Sequence, residues 1–454
     1  MMLFFNLGHT NCATLKRENF AKGCADLDKF VVNGGNRLCG RICVSGAKNA
    51  AVAILPAVLL AESPCIIENV PDISDVHGIL RAMSALGADI KPLSRNSFEI
   101  DPRGARSYVV NKEMAQGMRA SSYFLGALLG RNKKAKVAPP GGCAIGLRPI
   151  DQHIKGFEAL GAKVSIESGM VVARADKLSG GSVYLDMVSV GATVNIMIAA
   201  AKAKGMTIIE NAAREPHIVD LANFLNSMGA DIMGAGTSVI KIRGVEHLHG
   251  TSYSIIPDQI EAGTYMVAAA ATRGDIVVSN VIPKHLESII AKLKEVGATV
   301  EEGDEFVRVS MKGRPGKCNL KTMPHPGFPT DMQPQFATLL ALAEGTSIVT
   351  ESVWENRFRY VEQLTFMGAD IQVDGKSAII TGTKKLKAAQ VRADDLRAGA
   401  AMIIAGLIAE GETEISSIEY IDRGYEMVVE KLTSVGADIK RVSDEKFGYS
   451  LKAN

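Results

Sequence analysis

At 454 residues the chain exceeds one ordinary hydrophobic core and predicts two or three domains. Its 47% apolar and 22% charged residues are those of a soluble globular protein. A net charge of +2 provides no global field for nucleic acid or an anionic membrane, and 5% aromatic residues are too few for a base-stacking surface.

Residues 1 to 26 mix charged and small residues without periodicity and are expected to form a disordered, mobile tail. The opening Met1-Met-Leu-Phe-Phe-Asn-Leu7 lacks a basic n-region and makes a poor signal peptide. From Leu27 the chain reads as a strand running into the turn Gly34-Gly35. The longest apolar run, Ala50 to Ala61, is interrupted by Pro56 and falls short of the roughly 20 residues of a membrane span; it reads as a buried helix. Seven cysteines without a C-x-x-C pair fit free thiols in a reducing cytoplasm. The histidines contain no H-E-x-x-H, and His247-Leu-His249 reads as a surface strand or turn, so no metal is expected.

One phrase then recurs six times: a helix end, Gly-Ala, and a new strand. Its glycines stand at Gly87, Gly161, Gly229, Gly297, Gly368 and Gly436, spaced by 74, 68, 68, 71 and 68 residues. Glycine at that place is the left-handed cap that ends a helix, and the constant period marks internal duplication. Before each cap lies an amphipathic helix, before that a short strand, and before that a helix apolar on nearly every face, such as Val194 to Ala201. Two short strands follow each cap. The expected fold is α/β, with six β-α-β-α-β-β units. Buried helices lie inside, and three units close round a pseudo-threefold in each of two domains. The main boundary is expected near Pro257.

The segment Ala138 to Asp151 carries two prolines and three glycines within nine residues, which excludes a helix or central strand. It places Cys143 near Arg148, the setting in which a thiol becomes reactive; a solvent loop with an incidental cysteine is the competing reading. Elsewhere the starts of the helices are polar. Ser189 and Thr330 suit capping. Lys48, Arg119, Arg148, Arg397 and Arg423 do not, because the helix dipole disfavours a cation at an N-terminus. Converging, they would suit a substrate with several negative charges.

Several motifs resemble the bacterial UDP-N-acetylglucosamine enolpyruvyl transferases of the EPSP synthase superfamily. They are Ser45-Gly-Ala-Lys-Asn-Ala-Ala51, Met118-Arg-Ala-Ser121, Pro140-Gly-Gly-Cys-Ala-Ile-Gly-Leu-Arg-Pro-Ile-Asp151, Pro329-Thr-Asp-Met-Gln333, Glu355-Asn-Arg-Phe358 and Ile421-Asp-Arg-Gly-Tyr-Glu426. The resemblance runs from about Asp28 to the C-terminus. It implies two inside-out α/β barrel domains: residues 48–256 with the catalytic loop, and residues 27–47 plus 257–454. It also implies transfer of the enolpyruvyl group of phosphoenolpyruvate to the 3′-hydroxyl of UDP-N-acetylglucosamine with release of phosphate, the first committed step towards peptidoglycan. No cofactor is implied, and the expected protein is a cytoplasmic monomer whose partners are its two small-molecule substrates.

Carried over, Cys143 is the proton donor and can hold phosphoenolpyruvate covalently, and Asp331 handles the proton of the sugar hydroxyl. Lys48, Asn49, Arg148 and Arg423 match phosphoenolpyruvate contacts, Lys48 and Arg423 with catalytic roles, and Arg397 matches a further substrate arginine. Arg119, Arg148, Pro149, Ile150, Asp151, Gln152, Asp331 and Val353 match positions around the UDP-sugar. Two positions depart from the family's pattern. His217 stands where many members have the second glutamate of Arg-Glu-Pro-Glu, and Met187 stands where some have a lysine. The rival readings are the sister enzyme acting on shikimate 3-phosphate, which lacks the Gly-Gly-Cys loop, and a UDP-sugar-binding regulator without turnover.

Family members commonly begin Met-Asp-Lys-Phe, matched here by Leu27-Asp-Lys-Phe30. We expect Leu27 to be a TTG start codon in a gene model begun too early, with Lys22-Gly23 encoding the ribosome-binding AAGG. The intact mass of the native protein checks this: it should exclude residues 1 to 26, and a mass that includes them rejects the idea.

Overall fold

The computed structural model describes residues 28–115, 118–139 and 149–443, with the backbone but not the side chain of Arg119. The tail at 1–26, and the loop residues Cys143 and Arg148, lie outside the described residues.

All six repeat glycines are left-handed, with φ between 86° and 107°. Each closes its helix in the same way: at the first, the N–H of Gly87 donates to Ser84 O at 2.9 Å and that of Ala88 to Met83 O at 3.0 Å. The third unit shows the plan. Strand Ser182–Tyr184 leads into helix Val190–Ala200, whose Ile196, Met197 and Ile198 are wholly buried. Strand Met206–Glu210 then runs parallel to the first strand. The amphipathic helix Pro216–Ser227 follows, and strands Asp231–Met233 and Val239–Arg243 complete the sheet in antiparallel register. Six four-stranded sheets among the described residues repeat this order.

The apolar helices gather in two separate cores. One comprises buried side chains between Ala47 and Ile255 and includes helices Lys48–Ala57, Tyr123–Asn132 and Val190–Ala200. The other combines Phe30 to Val44 with Ile260 to Ile439 and includes Gln259–Ala271, Gln333–Leu340 and Leu396–Ile408. This is the two-barrel α/β architecture expected from the repeats. Close helix packing needs small residues: a Cβ on Gly126 would lie 2.4 Å from the carbonyl oxygen of Asn195. No helix among the described residues is long and apolar enough to cross a membrane.

Three sheets depart from a simple tandem repeat. In the sixth unit a single described strand, Asp438–Val442, follows Gly436, rather than the expected two. The missing place is taken by Lys29–Asn33, which pairs antiparallel with both Glu412–Ser416 and Asp438–Val442. The fourth sheet takes its parallel edge from Cys39–Cys43, and the first takes its own from Ser252–Ser254. In each case a strand from the far end of the same half completes a four-stranded sheet and covers a strand that would otherwise lie at its edge. The chain therefore passes between the cores twice, and the two passages pair through Gly46 and Pro257. Another expectation also changes. Arg423 does not begin a helix: it lies between the 3-10 turn Ile418–Tyr420 and the short helix Val428–Thr433.

Candidate active site

Lys48 opens helix Lys48–Ala57 at the first passage, with only 8% of its surface exposed. A buried ammonium at a helix N-terminus is opposed by both desolvation and the dipole, so it requires a counter-ion. Asp75, in the first turn of Ser74–Leu86, provides it: Lys48 Nζ lies 2.8 Å from Asp75 Oδ2. The same carboxylate accepts Arg423 Nε at 2.8 Å and Nη2 at 3.3 Å. Lys48 and Asp75 belong to the first core, and Arg423 arrives from the second. Burial pushes the Lys48 pKa down, while Asp75 opposes that shift. Burial would raise the carboxyl of Asp75, but Lys48 and Arg423 hold it below its ordinary value.

A second group repeats this arrangement. Asp331, on the 3-10 turn Thr330–Met332, accepts Arg397 Nη2 at 3.0 Å and Nε at 3.1 Å through Oδ2. Its Oδ1 accepts Arg357 Nη2 at 3.2 Å. Both arginines are buried, whereas the Asp331 side chain keeps 30% of its surface exposed. Arg397 lies 5.6 Å above the Tyr425 ring, whose hydroxyl meets Thr264 Oγ1 at 2.9 Å and accepts from Gln335 Nε2 at 3.3 Å. Burial would raise Asp331, but Arg397 and Arg357 hold its carboxyl well below the usual range. The two groups act on one another: Arg397 helps to lower Lys48, and Lys48 helps to lower Asp331. Four cations thus share two carboxylates, an excess of positive charge suited to an anionic ligand.

The remaining predicted residues fall in three places. Asn49 lines a small cavity with His217, Asp258 and His285. Pro149 is exposed and Ile150 partly buried ahead of helix Asp151–Ala159. Asp151 and Gln152 form a separate cluster with Asp186, in which Gln152 Nε2 donates to Asp151 at 2.9 Å and to Asp186 at 3.1 Å. Val353 donates its N–H to Glu351 Oε1 at 2.8 Å; Glu351 Oε2 also accepts the Thr330 hydroxyl, which ties Val353 to the turn bearing Asp331. Arg119 begins a 3-10 turn into Tyr123–Asn132. Met187 is 58% exposed. Asp75, in the first turn of Ser74–Leu86, and Arg357, at the start of the 3-10 turn Arg357–Tyr360, are partners of the site that the sequence did not single out. Their acidic and basic character beside other charged helix starts was the available signal.

The fold agrees with the comparisons. A family model described as EPSP synthase (3-phosphoshikimate 1-carboxyvinyltransferase) matches residues 32–432, and the chain belongs to that family. It is 57% identical to a protein of Caldanaerobacter subterraneus subsp. tengcongensis named UDP-N-acetylglucosamine 1-carboxyvinyltransferase 3, over 92% of this chain and all of that protein. A Clostridium botulinum protein named UDP-N-acetylglucosamine 1-carboxyvinyltransferase is also 57% identical, with the same coverage. Among solved structures, the enolpyruvyl transferase NikO from Streptomyces tendae superposes with a TM-score of 0.83 at 26% identity, covering 92% of this chain and all of its own. An EPSP synthase from Acinetobacter baumannii, at 21% identity and a TM-score of 0.72, shares the fold.

Acid should destabilise the protein through buried histidines. Burial pushes His153 down to about 4, opposed by Asp151, and lowers His217 as well. The folded state therefore keeps them neutral, while the unfolded chain binds their protons below about 6.5. Their contribution is fully present above that pH and is lost on acidification. For His153 the slope is up to about 1.4 kcal/mol per pH unit until its folded value is reached. Thermal unfolding at pH 7.5 and 5.5 should show a smaller loss in His153→Gln than in the wild type; equal losses reject the assignment.

Proposed function

We propose that the chain transfers the enolpyruvyl group of phosphoenolpyruvate to the 3′-hydroxyl of UDP-N-acetylglucosamine and releases inorganic phosphate. This is the first committed step of peptidoglycan synthesis, and so serves cell-wall growth and division. The carrying observation is the pair of shared carboxylates, Asp75 and Asp331, among Lys48, Arg423, Arg357 and Arg397. It occurs in a chain 57% identical along the whole of a protein named for that reaction. We read the protein as a cytoplasmic monomer of two domains, residues 48–256 and residues 27–47 plus 257–454; the two separate cores support that division.

In this reading Lys48, Arg423, Asn49 and Arg148 hold the phosphate and carboxylate of phosphoenolpyruvate. Cys143 donates a proton to the methylene carbon, and positive charge develops at the adjacent carbon, which the sugar oxygen attacks. Asp331 takes the hydroxyl proton. Its two arginines keep it ionised and therefore able to accept, and its basicity rises when a substrate anion competes for Arg397. The tetrahedral intermediate then returns a methyl proton to the Cys143 thiolate while its carbon–oxygen bond to phosphate breaks, and the proton held by Asp331 leaves with the phosphate. Arg119, Pro149, Ile150, Asp151, Gln152 and Val353 surround the UDP-sugar.

Phosphate release measured with each substrate alone and with both should require both. Release with shikimate 3-phosphate in place of the UDP-sugar, or no release at all, rejects the reading.

The acid has its own test. Fosfomycin, an epoxide phosphonate, should alkylate Cys143 and abolish turnover in the wild type. Cys143→Asp should escape alkylation and retain part of the activity, because a carboxylic acid still donates a proton. Undiminished inhibition of that variant removes Cys143 from the role.

A further inference from the structure

The two passages between the cores meet at one carboxylate. Asp258 Oδ1 caps its own helix, Gln259–Ala271 in the second core, accepting the N–H groups of Ile260 at 2.8 Å and Glu261 at 3.0 Å. Its Oδ2 accepts the N–H of Lys48 at 2.9 Å. That bond caps a helix of the first core, Lys48–Ala57, whose own N-cap residue, Ala47, has no side chain able to do so. One side chain thus closes the N-termini of two helices, one in each core. Asp258 is itself only 5% exposed.

The surrounding chain has little freedom. The passages are paired by the N–H of Ala47 to Ile256 O at 2.7 Å and that of Asp258 to Ser45 O at 2.9 Å. A Cβ on Gly46 would lie 1.7 Å from the carbonyl oxygen of Asn69, and Asn69 Nδ2 also donates to Ile255 O at 2.7 Å, so the first core grips both strands. On the other side Glu261 accepts the N–H of Ser45 at 2.8 Å and pairs with Lys431 Nζ at 2.6 Å. Lys48 and Asn49 follow directly from this junction.

We infer that Asp258 is a positioning residue: by capping both helices it sets Lys48 and Asn49 for the anionic substrate, and it carries any rotation of the second core into their placement. A loose first turn would let the Lys48 ammonium leave Asp75, and the binding position would be only partly populated. The inference rests on the function proposed above, with Lys48 and Asn49 as phosphoenolpyruvate contacts.

Asp258→Asn separates the two caps. Its remaining oxygen serves Gln259–Ala271 as well as aspartate does, while its amide cannot accept from Lys48. The expected result is a rise of about tenfold in KM for phosphoenolpyruvate with a smaller fall in kcat, and a Kd for UDP-N-acetylglucosamine, measured by calorimetry without phosphoenolpyruvate, that is unchanged. Asp258→Ser, whose shorter hydroxyl caps only its own helix, should reproduce this and serves if the amide variant does not fold. An unchanged KM for phosphoenolpyruvate, or equal weakening of both substrates, overturns the inference. Failure of the wild type to release phosphate would instead overturn the proposed reaction.

Discussion

Positive charge taken out of water is the constraint on which this site is built. Lys48, Arg357 and Arg397 are each almost wholly enclosed, and an unpaired cation in such a place costs several kcal/mol. Two carboxylates meet that need, but each is shared between two cations. The arrangement is compensated enough to fold and under-compensated enough to attract an anion. Asp75 and Asp331 occupy, in the free protein, the kind of position that carboxylate and phosphate groups of a substrate would contest.

The architecture explains why charges so distant in sequence converge. Starts of buried helices from both cores lie close together at the site. Lys48, Asp258, Asp331 and Arg397 all belong to such starts, while Asp75 begins an outer helix. The loop bearing Arg423 is docked on the first core by several contacts. Asp422 O accepts the N–H of Ser74 at 3.1 Å, and Glu426 Oε1 accepts Asn96 Nδ2 at 3.0 Å. Arg423 therefore reaches Asp75 as part of a seated loop rather than as a lone side chain.

Much of this was legible from local physics. Left-handed glycines at a constant period disclose the six units, and helices apolar on all sides disclose the cores. Cations placed against a helix dipole single out Lys48 and Arg397. What escaped is long-range. Asp75 and Arg423 lie 348 residues apart, and no local rule announces that one will neutralise the other. The exchanged strands escaped for the same reason: a period describes neighbours along the chain, whereas these pairings join distant parts of it. Arg423 was expected at a helix start because helix Val428–Thr433 follows it, yet the intervening turn holds it out of that helix.

The borrowed strand Lys29–Asn33 has a consequence for synthesis. It is made first, but its neighbours in the sheet, Glu412–Ser416 and Asp438–Val442, are made nearly last. The core from Ala47 to Ile255 is continuous in the chain and can assemble while the ribosome is still working. The other must wait with its first strand unpaired until roughly 400 further residues have emerged. Birth order thus makes the continuous half the scaffold on which the interrupted half is completed. A circular permutant opened between the cores near Ser45, with its old ends joined, would turn the interrupted half into a single uninterrupted stretch.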